Sequence, residues 1–142
     1  MKRAVITLKS IRALGIRDKC PAYRLLREAF PDGVPLTVKS AEKLAWLGLS
    51  VDWYAIRSLN RQDAAVFRRA RDAAVARFYK QITPHYAERM AAVSSPDSRI
   101  ERLARKKYQQ AIAPFRERQR FAEAKALLAL LLKEHKRNGA KP

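Results

Sequence analysis

Tyr79-Lys-Gln-Ile-Thr-Pro-His-Tyr86-Ala-Glu88-Arg89 is echoed by Tyr108-Gln-Gln-Ala-Ile-Ala-Pro-Phe115-Arg-Glu117-Arg118. Tyrosine, glutamine, an aromatic ring, glutamate and arginine fall at the same offsets in both. Each phrase sits in an alanine-rich stretch of helical character. A repeated helical unit cannot bury its apolar stripe alone, so two similar helices are expected to pack together. Phe67, Ala70, Ala74, Phe78, Ile82, Tyr86 and Met90 recur at threes and fours, an amphipathic stripe for the first. Ala104, Tyr108, Ala111, Phe115 and Ala122 form the inward stripe of the second. Tyr79, Tyr86, Tyr108 and Phe115 are therefore expected in the seam, as core rather than as platforms for nucleic-acid bases. Pro84 and Pro114 are each expected to kink or split their helix, because proline removes a hydrogen bond and clashes with the preceding turn.

The boundaries are written in caps. Asn60 with Asp63 starts the first long helix in capping-box spacing. Ser94-Ser95-Pro96-Asp97 is a stop and restart, with Ser95 capping and Pro96 in the first helical position. Ser98 and Glu101 offer a second box. The expectation is a helical hairpin over residues 61–137, then a flexible tail over 138–142. A turn centred at residues 94 and 95 places 126–132 beside 57–63. Ala126-Leu-Leu-Ala-Leu-Leu-Leu132 is apolar all round, which means burial on several sides. It should be clasped against whatever precedes the hairpin.

What precedes it, residues 1–60, reads as a head of short helices. Ala4 to Leu8 fits a short strand or a helix start. Pro21 opens a helix that buries Tyr23, Leu25, Leu26, Ala29 and Phe30, and Pro31-Asp-Gly33 ends it. Thr37 or Ser40 caps the next, with Ala41, Leu44, Ala45 and Leu47 on its apolar side and Gly48 closing it. Ser50 caps a further helix that carries Trp53, Ile56 and Leu59 on or near one side. This segment reads either as a helix-turn-helix or as an ordinary packed pair. The first reading turns Trp53, Arg57, Asn60 and Arg61 toward a DNA groove. Leu44, Tyr54 and Arg57 occupy positions where that motif wants other residue types. The chain as a whole is expected to be all-α and one domain, a helical head on a long Pro-kinked antiparallel hairpin.

Charge carries the functional argument. The formal net charge is +18 over 142 residues. Such self-repulsion answers either to a polyanionic partner (nucleic acid, an acidic protein or nucleoprotein face, or anionic lipid) or to a solvated surface kept soluble by charge. With no membrane segment expected, the first two partners are the candidates. Residues 94–142 carry thirteen Lys/Arg against five Asp/Glu, yet residues 1–60 also carry eleven against five. The excess belongs to a folded surface, although Lys133, Lys136, Arg137 and Lys141 enrich the end. Arg102, Lys106, Gln109, Arg116 and Arg120 recur on the side of the second helix away from its stripe. With Arg57 and Arg61, these four basic residues are the candidate contacts to phosphate or to an acidic partner. Leu103 and Ile112 are expected on the outer face, and the chain is expected to be a monomer or a weak dimer.

Catalytic chemistry is not written here. His85 and His135 are the only histidines, placed opposite about positions 104 and 54, and neither lies near Cys20. A zinc site needs three or four converging ligands, and acid–base chemistry needs a paired set in a pocket. No catalytic residue, metal or cofactor is assigned, and a non-enzymatic protein is expected. Cys20 alone forms no internal disulfide, which fits a reducing cytoplasm. The opening apolar run is too short for a signal peptide, and 126–132 is too short to span a bilayer.

Tyr108-Gln-Gln-Ala-Ile-Ala-Pro114 resembles the Tyr-x-x-Ala-x-Ala-Pro phrase repeated in small, alanine-rich helical proteins of tailed phages and prophages. The head is similar too: Cys20, then Phe30-Pro31-x-Gly33, Leu36-Thr37 and Leu44-Ala45-x-x-Gly48-Leu-x-Val51-Asp52-Trp53. Two departures stand out. The first copy is one residue short, with Pro84 five after Tyr79, and the chain is richer in arginine and lysine. The resemblance implies a phage or mobile-element origin and a helical fold, and it carries over no catalytic residues. Three functions follow as expectations: a nucleic-acid-binding accessory protein, an inhibitor of a host defence nucleoprotein complex of anti-CRISPR type, or a structural phage component.

Overall fold

A computed structural model describes residues 4–16, 20–93 and 96–139. Val5–Ile6 (β1) and Val34–Pro35 (β2) form a two-stranded antiparallel ribbon, pairing Val5 with Pro35 and Ile6 with Val34. Everything else regular among the described residues is helix: Leu8–Ala13 (α1), Pro21–Ala29 (α2), Val38–Trp46 (α3), Asp52–Ser58 (α4), Arg61–Val93 (α5) and Ser98–Gly139 (α6). The ambiguous Ala4–Leu8 segment is both of its alternatives in turn. Thr7 separates them, its Oγ1 accepting from the Ser10 N–H at 3.1 Å to cap α1.

The ribbon depends on Gly33. Its φ is +94°, and a Cβ there would lie 2.7 Å from the Ile6 carbonyl oxygen, so no other residue fits without moving backbone. In α3 Thr37, not Ser40, is the cap, accepting from the Ser40 N–H at 3.2 Å. Val51 holds the cap position of α4, while Ser50 Oγ accepts from the Asp52 N–H at 3.5 Å and the Ser50 carbonyl accepts from Trp53 Nε1 at 2.9 Å. Leu25, expected inside, is exposed, and Ile56 is exposed where Trp53 and Leu59 of the same segment are partly buried.

Asn60 caps α5 as its spacing predicts. Its Oδ1 accepts from the Asp63 N–H at 2.8 Å, and its Nδ2 donates to Asp63 Oδ2 at 3.1 Å. Neither proline divides a long helix. Each leaves the carbonyl four residues earlier, Lys80 or Gln110, without its helical donor. Both residues lie on exposed flanks, where water supplies one.

The restart falls later than expected. Ser95 lies outside the described residues, and Asp97 performs the cap, its Oδ1 accepting from the Arg99 N–H at 2.9 Å. Pro96 therefore precedes α6, and Glu101 pairs with Arg105 at 3.6 Å instead of closing a box with Ser98. Helix α6 includes Asn138 and Gly139 of the expected tail. Lys141 and the rest of 140–142 lie outside the described residues.

The later restart moves the hairpin register. Tyr86 meets Tyr108, Glu88 meets Lys107 and Phe78 meets Arg116. The pairing is thus centred near residue 97, and His85 lies against the Phe115 ring at 5.9 Å. Two apolar clusters result. In the larger, Ile11, Tyr23, Leu26, Phe30, Val34, Leu44 and Ala55 of the head enclose Phe67 of α5 and Ala124, Leu127, Leu128 and Leu130 of α6. The expected clasp is present, though Ala129 within it is exposed. In the smaller, Phe78, Ile82 and Ile112 are buried between Tyr108 and Phe115. Ile112 is 1% exposed, the reverse of its expected outward position. It lies within about 60° of Phe115 on the helix, inside the seam.

Candidate nucleic-acid interface

Arg102, Lys106, Gln109 and Arg116 fall within about 80° of one another on α6, along one flank of the seam. All four are exposed. Arg102, Lys106 and Arg116 have no carboxylate oxygen within 4.0 Å among the described residues. They form a row of unneutralised cations, the electrostatic footprint a phosphate backbone requires.

The row ends at the head. Arg120 is half-buried, with its Nη1 3.0 Å from where a Cβ on Gly48 would stand. Gly48 has φ +72° and closes α3. Glu123, one turn on, is buried. That burial holds its carboxyl above the usual carboxylate range, and Asp52 nearby adds to the effect. The Gln119 hydrogen bond and the charges of Arg71 and Arg120 act the other way. Arg120 therefore serves the junction between head and hairpin. Arg57 is likewise engaged, its Nη1 donating to the Leu14 carbonyl at 3.1 Å and tying α4 to the end of α1. Arg61 is exposed in the first turn of α5. Of the residues a helix-turn-helix would turn outward, Trp53, Arg57 and Asn60 all hold intramolecular hydrogen bonds.

The raised Glu123 value has a consequence for stability. A carboxyl whose folded value exceeds its unfolded one stabilises the fold at pH below about 4.3. That contribution is lost as pH rises through the folded value. Glu123→Gln is expected to raise the melting temperature at pH 7, while the Gln119 hydrogen bond persists to the amide oxygen. The advantage over the parent should shrink as pH falls toward 4. Paired thermal melts across pH 4–8 check this, and a constant difference excludes the buried carboxyl as its source.

The stripe residues of α5 are the second correction. Tyr79 is 61% exposed and Tyr86 50%, so neither is core. Phe78 and Ile82 of the same stripe face α6 as expected, whereas Met90 is exposed. A shift of one residue rotates a helical side chain by about 100°. Phe78 takes the buried place because tyrosine there would need a partner for its hydroxyl. Tyr108 and Phe115 stay half-buried on the α6 side as expected.

The exposed tyrosines are not loose. The Tyr79 ring meets Phe78 edge-on at 5.7 Å, and the Arg116 guanidinium lies over Phe78 at 5.6 Å. The Tyr86 ring meets Tyr108 edge-on at 6.3 Å, and the Arg89 guanidinium lies over Tyr108 at 5.0 Å. Each unit is an exposed tyrosine, a bracing seam ring and an arginine above that ring. Arg116 and Tyr79 share Phe78, so the cationic row of α6 and the tyrosines of α5 run along the same side of the hairpin. Sequence reading missed Tyr79, Tyr86 and Arg89 as site residues. Phe78 and Ile82, already in the expected stripe, form an i, i+4 seam that turns Tyr79 about 100° away from it.

The opposite side differs. Arg77, Gln81, Arg118 and Gln119 border a groove over Phe78 and Phe115. Nearer the tip, Leu103 and Ile100 are exposed beside Ala92, Ala104 and Tyr108. Glu88 and Lys107 bridge that groove at 2.7 Å, which lowers the carboxylate's affinity for protons and raises the amine's. Among the described residues, no three His, Cys, Asp or Glu side chains are grouped to hold a metal ion. No described helix is long and apolar enough to cross a membrane. The chain matches no protein-family model, and no curated protein or solved structure matches it.

Proposed function

We propose that this is a small basic accessory protein of phage or mobile-element type that binds nucleic acid through phosphate contacts and catalyses no reaction. One observation carries the reading. Arg102, Lys106 and Arg116 stand unneutralised on one flank of α6, beside two exposed tyrosines. Arg61, exposed in the first turn of α5, adds a further cation. Arg57 contributes charge while tying α4 to the end of α1, and Arg120 contributes charge beside Gly48.

The test is filter binding against salt. Affinity should fall steeply as salt rises, because each neutralised phosphate releases counterions, with a slope of about −0.9 per contact on duplex DNA. Changing Arg102 or Arg116 to alanine should lower the magnitude of that slope by about one and weaken all sequences alike. Reversing Arg102, Lys106 and Arg116 together to glutamate should abolish retention. Absence of retention by the parent protein at low salt, or full retention by the triple variant, rejects the reading.

A second reading is an inhibitor docked on an acidic protein surface of a host defence complex. The apolar tip groove with Leu103 exposed favours it. It predicts capture of one protein complex from host lysate that survives nuclease treatment and is lost with Leu103→Glu.

A further inference from the structure

We propose that the nucleic acid bound on this side of the hairpin is single-stranded, with Tyr79 and Tyr86 stacking on unpaired bases while Arg102, Lys106 and Arg116 follow the phosphates. The inference rests on the nucleic-acid reading above and narrows it.

Three observations lead to it. The tyrosines are seven residues apart, so they fall within about 20° of one another and about 10 Å apart along α5. That distance spans about three stacked base steps at 3.4 Å each. Each ring is braced edge-on by a buried or half-buried aromatic, Phe78 for Tyr79 and Tyr108 for Tyr86. A braced ring loses less rotational freedom when a base settles on it. The bracing rings themselves lie beneath guanidiniums, Phe78 under Arg116 of the cationic row and Tyr108 under Arg89.

A duplex cannot use these features together. Its base faces are covered by the neighbouring base pairs, and only phosphates and groove edges are presented. Unpaired bases expose their faces, and stacking on aromatic side chains is tolerant of sequence because every base has such a face. Arginines along the groove then track the backbone. The pattern is that of a single-strand binder with weak sequence preference, on a helical surface.

The test uses the whole chain and labelled oligonucleotides of 15 deoxythymidines, of 15 uridines, and a duplex of equal length, compared by fluorescence anisotropy at low salt. At least one single strand should bind at least tenfold more tightly than the duplex. Tyr79→Ala and Tyr86→Ala should each weaken single-strand binding by about tenfold, with duplex affinity and the salt slope unchanged. Tyr79→Phe and Tyr86→Phe keep the ring and should bind as the parent does. Melting temperatures should be close to parental in all four variants because both positions are exposed. Since Tyr86→Ala also removes a ring contact near the tip, unchanged hydrogen-exchange protection of 79–115 in that variant separates a lost platform from an opened hairpin. Comparison of the two single strands reports DNA against RNA. Equal affinity for duplex and both single strands, or alanine variants that bind single strands as well as the parent, overturns this inference and leaves phosphate binding standing. Failure to bind all three probes removes both.

Discussion

Leu128→Ala is expected to cost about 2–5 kcal/mol of stability, toward the upper end of what a buried leucine loses. Leu128 is 3% exposed and belongs to the cluster that joins α6 to the head. It borders an apolar cavity of about 50 Å³ shared with Ile11, Tyr23, Leu26 and Val34. Truncation there enlarges a space that the surrounding side chains already leave unfilled. Both the lost burial and the added void then count against the variant. For a chain of this size each kcal/mol shifts the melting temperature by about 2–4 °C, so a fall on the order of 10 °C is expected. Leu103→Ala is the internal control, since Leu103 is 68% exposed and such surface changes stay within about 0.5 kcal/mol. If Leu128→Ala melted with the parent, the junction between head and hairpin would have to be drawn elsewhere.

Ile112→Ala should cost a similar amount by a different route. The seam cluster consists of Phe78, Ile82 and Ile112, edged by Tyr108 and Phe115. Toward the tip, Tyr86, Met90, Val93, Ile100 and Leu103 are all exposed. Contacts across the hairpin there, among the described residues, include the Tyr86–Tyr108 ring pair, the Arg89 guanidinium over Tyr108 and the Glu88–Lys107 bridge. An exposed bridge of this kind contributes at most about 1 kcal/mol. Ile112→Ala therefore opens the distal half of the hairpin while the head and the base of the hairpin stay folded. Hydrogen exchange resolves this. Protection should fall for residues 79–115 and hold for 38–70 and 120–132. A uniform loss of protection would show that the two clusters unfold as one unit. Such opening also separates Arg116 from Phe78 and scatters the cationic row, so nucleic-acid affinity should fall with it.

The two predictions divide along the line between local and tertiary information. Helix identity and several of the caps were legible because they are set within a few residues. Asn60 with Asp63, Thr37, Pro21 and the φ-positive turn at Gly48 act through their own backbone neighbours. The clasp was legible as well. Seven apolar residues in succession call for burial on several sides of a helix, wherever its partners lie, and Ala129 alone of the seven is exposed. The basic row on α6 followed from spacing alone, and its exposure needed only that the seam lie on another side.

Other features were decided by packing. The hairpin register moved by a few residues because Asp97 caps α6, and capping-competent residues stood at several neighbouring positions in 94–98. Arg120 and Arg57 looked like free cations, yet partners distant in sequence, Gly48 and Leu14, engage them. Ile112 and Tyr86 changed places with respect to solvent for the same kind of reason. An apolar stripe about 100° wide admits two adjacent phases, one residue apart. The amino-acid sequence determined that two amphipathic helices would pack on a small helical head beneath a large positive charge. The stripe already carried Phe78 and Ile82 inward; only the tertiary structure decided where along α5 that stripe leaves the seam, exposing Tyr86 and Met90, and that Ile112 closes it from α6. With that choice, Tyr79 and Tyr86 were left on the surface beside the arginines.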